Sequence, residues 1–239
     1  MSLRRRVRGL VPAPVRQRIY DARRAGRRQW REAPGVEAVP PTAGAALTFD
    51  DGPDPEFTPA LLEALEAAGA KATFFVVGER VAGNEALLRE IDARGHEVGL
   101  HGMRHRRADR LSDQEARAEL TDGLAAIEAA SVPRPRRYRP PFGGTSPALA
   151  GLCAEIGLEL AYWSAWGQDW EPLPAARIAA LVERDLRPGA VVLLHDSALY
   201  AERGDARPTV EAVPLIAAAA RDEGIALVSL AGALDDSNV

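Results

Sequence analysis

From Ala45 to about Leu230, short apolar runs alternate with helix-like stretches, and no other feature of the sequence restricts the fold as much. Strand-like runs fall at Ala45–Phe49, Ala72–Gly78, Glu97–Leu100, Arg137–Arg139, Leu160–Ser164, Val191–Leu194 and Ala226–Leu230. Helix-like segments lie between them, near 58–68, 84–94, 112–130, 146–156, 175–186 and 208–222. Ser112 ahead of Asp113 and Glu115, and Thr58 ahead of Pro59, read as helix starts. Gly69, Gly95, Gly157 and Gly224 each follow a helical run and read as stops. A strand that returns to its sheet through a helix lies parallel to its neighbour, so the pattern predicts βαβ units and a mainly parallel sheet. Seven such strands fit either a barrel or an open doubly wound sheet, and periodicity alone leaves both open.

Charge divides the chain. Residues 1–32 hold eleven Arg against Asp21 and Glu32, a formal charge of +9, whereas the remainder carries 19 basic and 32 acidic side chains, a charge of −13. The arm has the basic start of an export signal without its apolar stretch, because Arg8 follows Val7 and Pro12 and Pro14 break what comes next. The chain is therefore expected to be unexported: cytoplasmic, and at most peripheral to a membrane. Residues 15–31, with Val15, Ile19, Ala22 and Trp30 among the arginines, suit a short basic helix in weak contact with an anionic membrane surface. A nucleic-acid partner is not expected, since no aromatic residues interleave the arginines and the acidic body repels a polyanion. Pro34, Gly35, Pro40, Pro41 and Gly44 mark residues 33–44 as linker. The organisation reads as a basic extension over 1–44 and one α/β domain over 45–235. Cys153 is the only cysteine, which excludes an intrachain disulfide and a cysteine-cluster metal site; among Leu152, Ala154 and Ile156 it reads as core packing. No run approaches the ~18 apolar residues of a transmembrane helix.

Parallel α/β folds carry their active sites at the C-terminal ends of the strands. The first strand here runs into Asp50, Asp51, Gly52 and Pro53, and the third into His101, Gly102, Met103, Arg104 and His105. The fourth ends in Arg139, Pro140, Pro141, Phe142 and Gly143; the fifth leads to Trp166, Asp169 and Trp170; the sixth ends in His195 and Asp196. His96 stands apart on the opposite rim and reads as structural. Two imidazoles with three residues between them, joined by a carboxylate, leave open positions on a borderline divalent metal, as hydrolytic sites require. Each signal alone has a plainer reading: paired acids form turns, and a histidine after an apolar strand is often a core residue. Their convergence on one rim is what points to chemistry.

The motifs TFDDGPDPEFTP (Thr48–Pro59), HGMRH (101–105), RPPFG (139–143), QDW (168–170) and LLH (193–195) occur in order between Ala45 and Leu230. Together they resemble the five motifs of the polysaccharide deacetylases, the NodB-homology group of carbohydrate esterase family four. The resemblance implies a distorted seven-stranded (β/α) barrel of the TIM-like type, which selects the barrel by analogy. It implies a divalent metal, zinc ahead of Co, Mn, Ni or Fe, held by Asp51, His101 and His105. It makes Asp50 the base that takes a proton from water, with Arg139 holding and tuning it. His195 becomes the general acid, oriented by Asp169. The backbone N–H of Phe142 stabilises the oxyanion, and Trp170 and Leu193 form the pocket for the acetyl methyl. Adjacent side chains on an extended strand point to opposite faces, so Asp50 and Asp51 share one site only if the chain bends, and Gly52 and Pro53 are expected to supply the bend.

Two positions depart from the family pattern: Phe142 stands where Tyr is more common, and Trp166 where the fourth motif often begins with Asp. Trp166 at the rim is expected to narrow or reshape the groove. The expected activity is hydrolysis of acetyl groups from N-acetylated sugars or glycans, with an acetylated carbohydrate as substrate. An O-acetyl, xylan-type esterase is the alternative, and an inactive carbohydrate-binding relative the rival from another class. The oligomeric state is not legible in the sequence.

Overall fold

The computed structural model describes Val15 and residues 33–235. The helix expected over 15–31 falls, apart from Val15, outside the described residues. Among the described residues eight strands, β1 (Ala45–Asp50), β2 (Ala72–Val76), β3 (Glu97–Leu100), β4 (Arg137–Tyr138), β5 (Glu159–Leu160), β6 (Ala165–Trp166), β7 (Val191–His195) and β8 (Leu227–Val228), form one sheet. The α-helices that accompany them among the described residues are α1 (Phe57–Ala68), α2 (Glu85–Ala93), α3 (Asp113–Ala129), α4 (Pro147–Ile156), α5 (Ala175–Glu183), α6 (Arg207–Asp222) and α7 (Leu230–Leu234). The strand order is β5-β4-β3-β2-β1-β7-β6 with β8 also on β1, and every paired strand is parallel.

Local chemistry explains most boundaries. Ser112 caps α3 in a reciprocal box, its hydroxyl accepting from the Glu115 N–H while the Glu115 carboxylate accepts from the Ser112 N–H. Gly69 and Gly157 end α1 and α4 at φ 64° and 81°, a region that disfavours a side chain. Central β1 is buried along its whole length, as a strand covered on both faces must be.

The single strand expected over Leu160–Ser164 is in fact two. β5 lies at one edge of the sheet and β6 at the other, so residues 161–164 cross from edge to edge. Counting that broken strand once recovers the expected seven. The crossing shows how far the sheet curls: it is an incomplete barrel whose seam is closed by chain. Residues 33–39, read from their prolines and glycine as linker, lie along the same seam. Val36 bridges to Ala161 and Ala38 to Ala190, Val39 is buried, and the Tyr162 hydroxyl donates to the Ala33 carbonyl. Apolar anchors at Ala33, Val36 and Val39 outweigh the loop-like composition, and the folded unit reaches back to Ala33. The last expected strand, Ala226–Leu230, is cut to β8 because Ser229 caps α7 through the Gly232 N–H.

Alternation along the strands stacks the barrel interior in layers. At the bottom Arg137 pairs with Glu97 at 2.6 Å and Asp235 at 2.9 Å. Ala46, Phe75 and Val191 fill the middle, plugged by Leu230 and Ala233 of α7. Gly99 makes room for Phe75, since a Cβ there would lie 2.6 Å from its ring. Thr48 and Leu193 are in register above, and Asp50 and His195, again in register, end the neighbouring strands β1 and β7.

Candidate active site

Five strand ends supply the mouth of this barrel. Asp50 is the last residue of β1 and is buried. The chain turns immediately after it: Asp51 adopts φ 83° and the Gly52–Pro53 peptide is cis. The bend therefore begins at Asp51 itself, one residue earlier than expected, and brings two neighbouring carboxylates to one side. Beneath the turn sits Asp196, which points away from its neighbour His195 and accepts from the Thr58 hydroxyl at 2.5 Å. Burial, with Asp51 and Asp54 nearby, raises Asp196 to about 7 against the pull of Thr58 and Arg80. A Cβ on Gly52 would lie 2.0 Å from this carboxylate, which is buried and tethered by the Thr58 hydroxyl. Gly52→Ala is accordingly expected to cost about 1–3 kcal/mol of stability; an unchanged melting temperature would contradict this packing.

His101 follows β3 directly, and Gly102 at φ 93° reverses the chain so that His105 returns to the same place. Buried Glu119 of α3 holds this loop, accepting from the Arg104 N–H at 2.7 Å. Its position was readable: Glu119 occupies a site in the apolar stripe of α3, with Ala116, Leu120, Gly123 and Ile127. The resulting cluster is tight. His101 Nε2 and His105 Nε2 lie 3.4 and 3.3 Å from Asp51 Oδ1. Among the described residues, Asp51, His101 and His105 are the one group able to converge on a cation, with donor atoms within 4.8 Å of one another.

These residues fit a metal. His101 Nδ1 lies 2.6 Å from the Arg139 carbonyl, which can only accept, so Nδ1 carries a proton and in the neutral ring Nε2 is left as a lone pair facing Asp51. Burial, outweighing Asp51, holds His105 down at about 4 and so neutral near pH 7. Asp51 Oδ1 is buried without a hydrogen-bond partner. A lone pair facing a bare carboxylate oxygen, as His101 Nε2 does, repels it unless a cation lies between them. Two donors on a tetrahedral centre with bonds of about 2.0–2.1 Å sit about 3.4 Å apart, close to the spacing seen.

Two polar systems flank the cluster. On one side, fully buried Arg139 donates from Nη1 to Asp50 Oδ1 at 2.8 Å and to the Thr48 hydroxyl at 2.6 Å, and from Nη2 to the Tyr162 carbonyl. The Thr48 hydroxyl in turn donates to the Val192 carbonyl at 2.6 Å, so the guanidinium is tied through Thr48 to β7. The Arg139 guanidinium lies 4.2 Å above the Phe75 ring. On the other side, His195 Nδ1 lies 2.9 Å from Asp169 Oδ1, and the His195 N–H donates to Oδ2. Burial alone would lower the imidazole, but Asp169, with Asp51 and Asp50, raises it to about 9.

Around the mouth, Trp170 meets the His195 ring edge to face at 5.7 Å, and Trp166 meets Trp170 at 5.3 Å. Trp166 and Leu193 are in register on β6 and β7, and both are buried. Phe142 adopts φ 62° and is 61% exposed, its ring 4.7 Å from His105. Tyr200 stacks on His105 at 4.3 Å, its hydroxyl donating to Glu79. The residues singled out in the sequence thus come together at one end of the barrel, and His96 lies at the other, accepting from the Ala72 N–H. Sequence reasoning missed Glu119, Tyr200, Arg203 and Thr209, and gave Thr48 no role beyond opening the first motif; Tyr200, Arg203 and Thr209 carry no local signal.

The sequence model of the polysaccharide deacetylase family matches residues 38–161. Peptidoglycan-N-acetylglucosamine deacetylase of Bacillus cereus is 35% identical over 188 residues, covering 77% of this chain and 85% of its own. Chitooligosaccharide deacetylase of Bradyrhizobium sp. is 38% identical over 173 residues, 72% of this chain and 76% of its own. A crystal structure of a peptidoglycan N-acetylglucosamine deacetylase with 4-naphthalen-1-yl-N-oxidanyl-benzamide has a TM-score of 0.78 at 28% identity, over 83% of this chain and 92% of that one.

Proposed function

Since the chain belongs to the polysaccharide deacetylase family, we propose that it is a metal-dependent hydrolase that removes the acetyl group from N-acetylated sugars, releasing acetate and a free amine. The observation that carries this reading is the convergence of Asp51 and two imidazoles between the Asp50–Arg139 ion pair and the Asp169–His195 pair. Asp51, His101 and His105 would hold the metal, and a carboxylate with two imidazoles favours zinc. When bound, such a cation makes water a usable nucleophile near neutral pH and polarises the acyl oxygen.

The protein's own groups divide the remaining work. Asp50 takes a proton from the attacking water, its Oδ1 held by Arg139 so that Oδ2 is free for the task. The backbone N–H of Phe142 donates to the oxygen that becomes negative as water adds to the acetyl carbon. As the carbon–nitrogen bond breaks, His195 gives its Nε2 proton to the departing nitrogen, and Asp169 keeps that imidazole charged and correctly turned. Trp170 and Leu193 enclose the methyl group, and Trp166 narrows the groove beside them. The Arg-rich arm supports weak contact with an anionic surface.

Acetate release from N-acetylglucosamine oligomers and from O-acetylated xylan, each with and without a zinc chelator, tests the reading. The expected outcome is release from the amide substrate that stops with chelator and returns with zinc. A fully metallated enzyme that leaves every acetylated glycan intact would overturn it.

A further inference from the structure

Asp169 is completely buried, and its carboxylate has more partners than the imidazole it orients. Oδ1 faces His195 Nδ1 at 2.9 Å. Oδ2 accepts from the His195 N–H at 2.9 Å and from the Thr209 hydroxyl, at the start of α6, at 2.8 Å. Arg203, 4% exposed in the loop between β7 and α6, brings Nη1 to 3.4 Å from the same Oδ2 and also donates to the Thr209 hydroxyl. Its Nη2 donates to the main-chain carbonyls of His195 at 3.0 Å and Ser197 at 3.1 Å. One buried guanidinium thus grips the carboxylate from behind and the strand end that carries the histidine.

We propose that Arg203, relayed through Thr209, is a positioning residue of the proton-donating pair, balancing the charge of Asp169 and fixing the end of β7. This rests on the reading of His195 as the proton donor. A carboxylate shared by two cations holds each less firmly than it would hold either alone. Without Arg203, Asp169 would bind the imidazolium so tightly that the proton leaves reluctantly. The charged and titratable groups around His195 are Asp169 from the loop after β6, Asp50 and Asp51 from the end of β1, neutral His105 from the loop after β3, and Arg203. Arg203 is the one permanent cation in this set.

The test follows the His195 imidazole by NMR as pH is varied in zinc-loaded enzyme, together with the pH dependence of acetate release. In Arg203→Met the His195 midpoint is expected to rise by about one pH unit, with the alkaline limb moving with it and kcat falling about tenfold. Thr209→Val, which keeps the shape, is expected to shift the midpoint the same way by less. Arg203→Lys restores the midpoint but not all of kcat, because an ammonium cannot serve the carboxylate and two carbonyls in the same geometry. A folded Arg203→Met enzyme with an unmoved or lowered midpoint would reduce Arg203 to a loop clamp and overturn the proposal. Should that variant fail to fold, an unmoved midpoint in Thr209→Val has the same force. If wild-type enzyme releases no acetate, the functional reading falls, while the NMR midpoints still decide the role of Arg203.

Discussion

Asp50→Asn is expected to bind zinc as the wild type does and to release acetate about 10²–10⁴ times more slowly. The substitution preserves shape and one acceptor, so Arg139 keeps its contact at the Oδ1 position, now 2.8 Å long, and the link through Thr48 to Val192 stays intact. What disappears is the ability of the second oxygen to take a proton. Metal content should not follow activity, because Asp50 Oδ2 lies 3.9 Å from His101 Nε2 and stands outside the three-donor cluster. Asp50→Ala is the poorer probe. It leaves a fully buried guanidinium without its carboxylate, and removing one partner of a buried pair costs about 3–5 kcal/mol. Metal analysis and acetate release on one preparation separate the outcomes. A variant that turns over at half the wild-type rate, or that loses zinc together with activity, would show that Asp50 is not the base.

The part of this site legible in the sequence is the part that follows from alternation and strand ends. Asp50, His101, Arg139 and His195 each terminate or directly follow a buried strand, so a parallel sheet places them on one rim before any contact is known. The helices were legible for a similar reason: Ser112, Gly69 and Gly157 act locally, and their chemistry does not depend on the rest of the fold. Curvature was not legible. No residue between Leu160 and Trp166 announces that the chain must cross the seam there, and the Val36–Ala161 bridge that closes it joins segments far apart in sequence. Arg203 was hidden for the same reason. In the sequence it is one arginine among 29 in a loop with Gly204 and Asp205, and only folding brings it against Asp169. Phe142 was read as a backbone donor alone, yet its ring also packs on His105, a contact set by the positive φ at that residue.

His101→Ala should abolish zinc occupancy and, with it, all acetate release. The loss has two origins. The substitution removes one of three donors, and it removes the Nδ1–H that fixes the ring to the Arg139 carbonyl, the only orientation in which Nε2 faces Asp51. Loss of an orienting partner alone costs a metal site about 10–100-fold in affinity, so loss of the donor with its partner should exceed that. Folding should survive, because β3 ends at Leu100 and the reversal that follows depends on Gly102 and on Glu119. His96→Gln provides the control. That histidine lies at the opposite end of the barrel, where burial, Lys71 and Arg94 keep it neutral and lower it to about 4, and its Nδ1 accepts from the Ala72 N–H. Zinc content should stay at the wild-type level in His96→Gln and vanish in His101→Ala after equal dialysis. If both variants retained zinc, the cation would have to lie elsewhere, and the orphaned Asp51 oxygen between two imidazoles would lose its explanation.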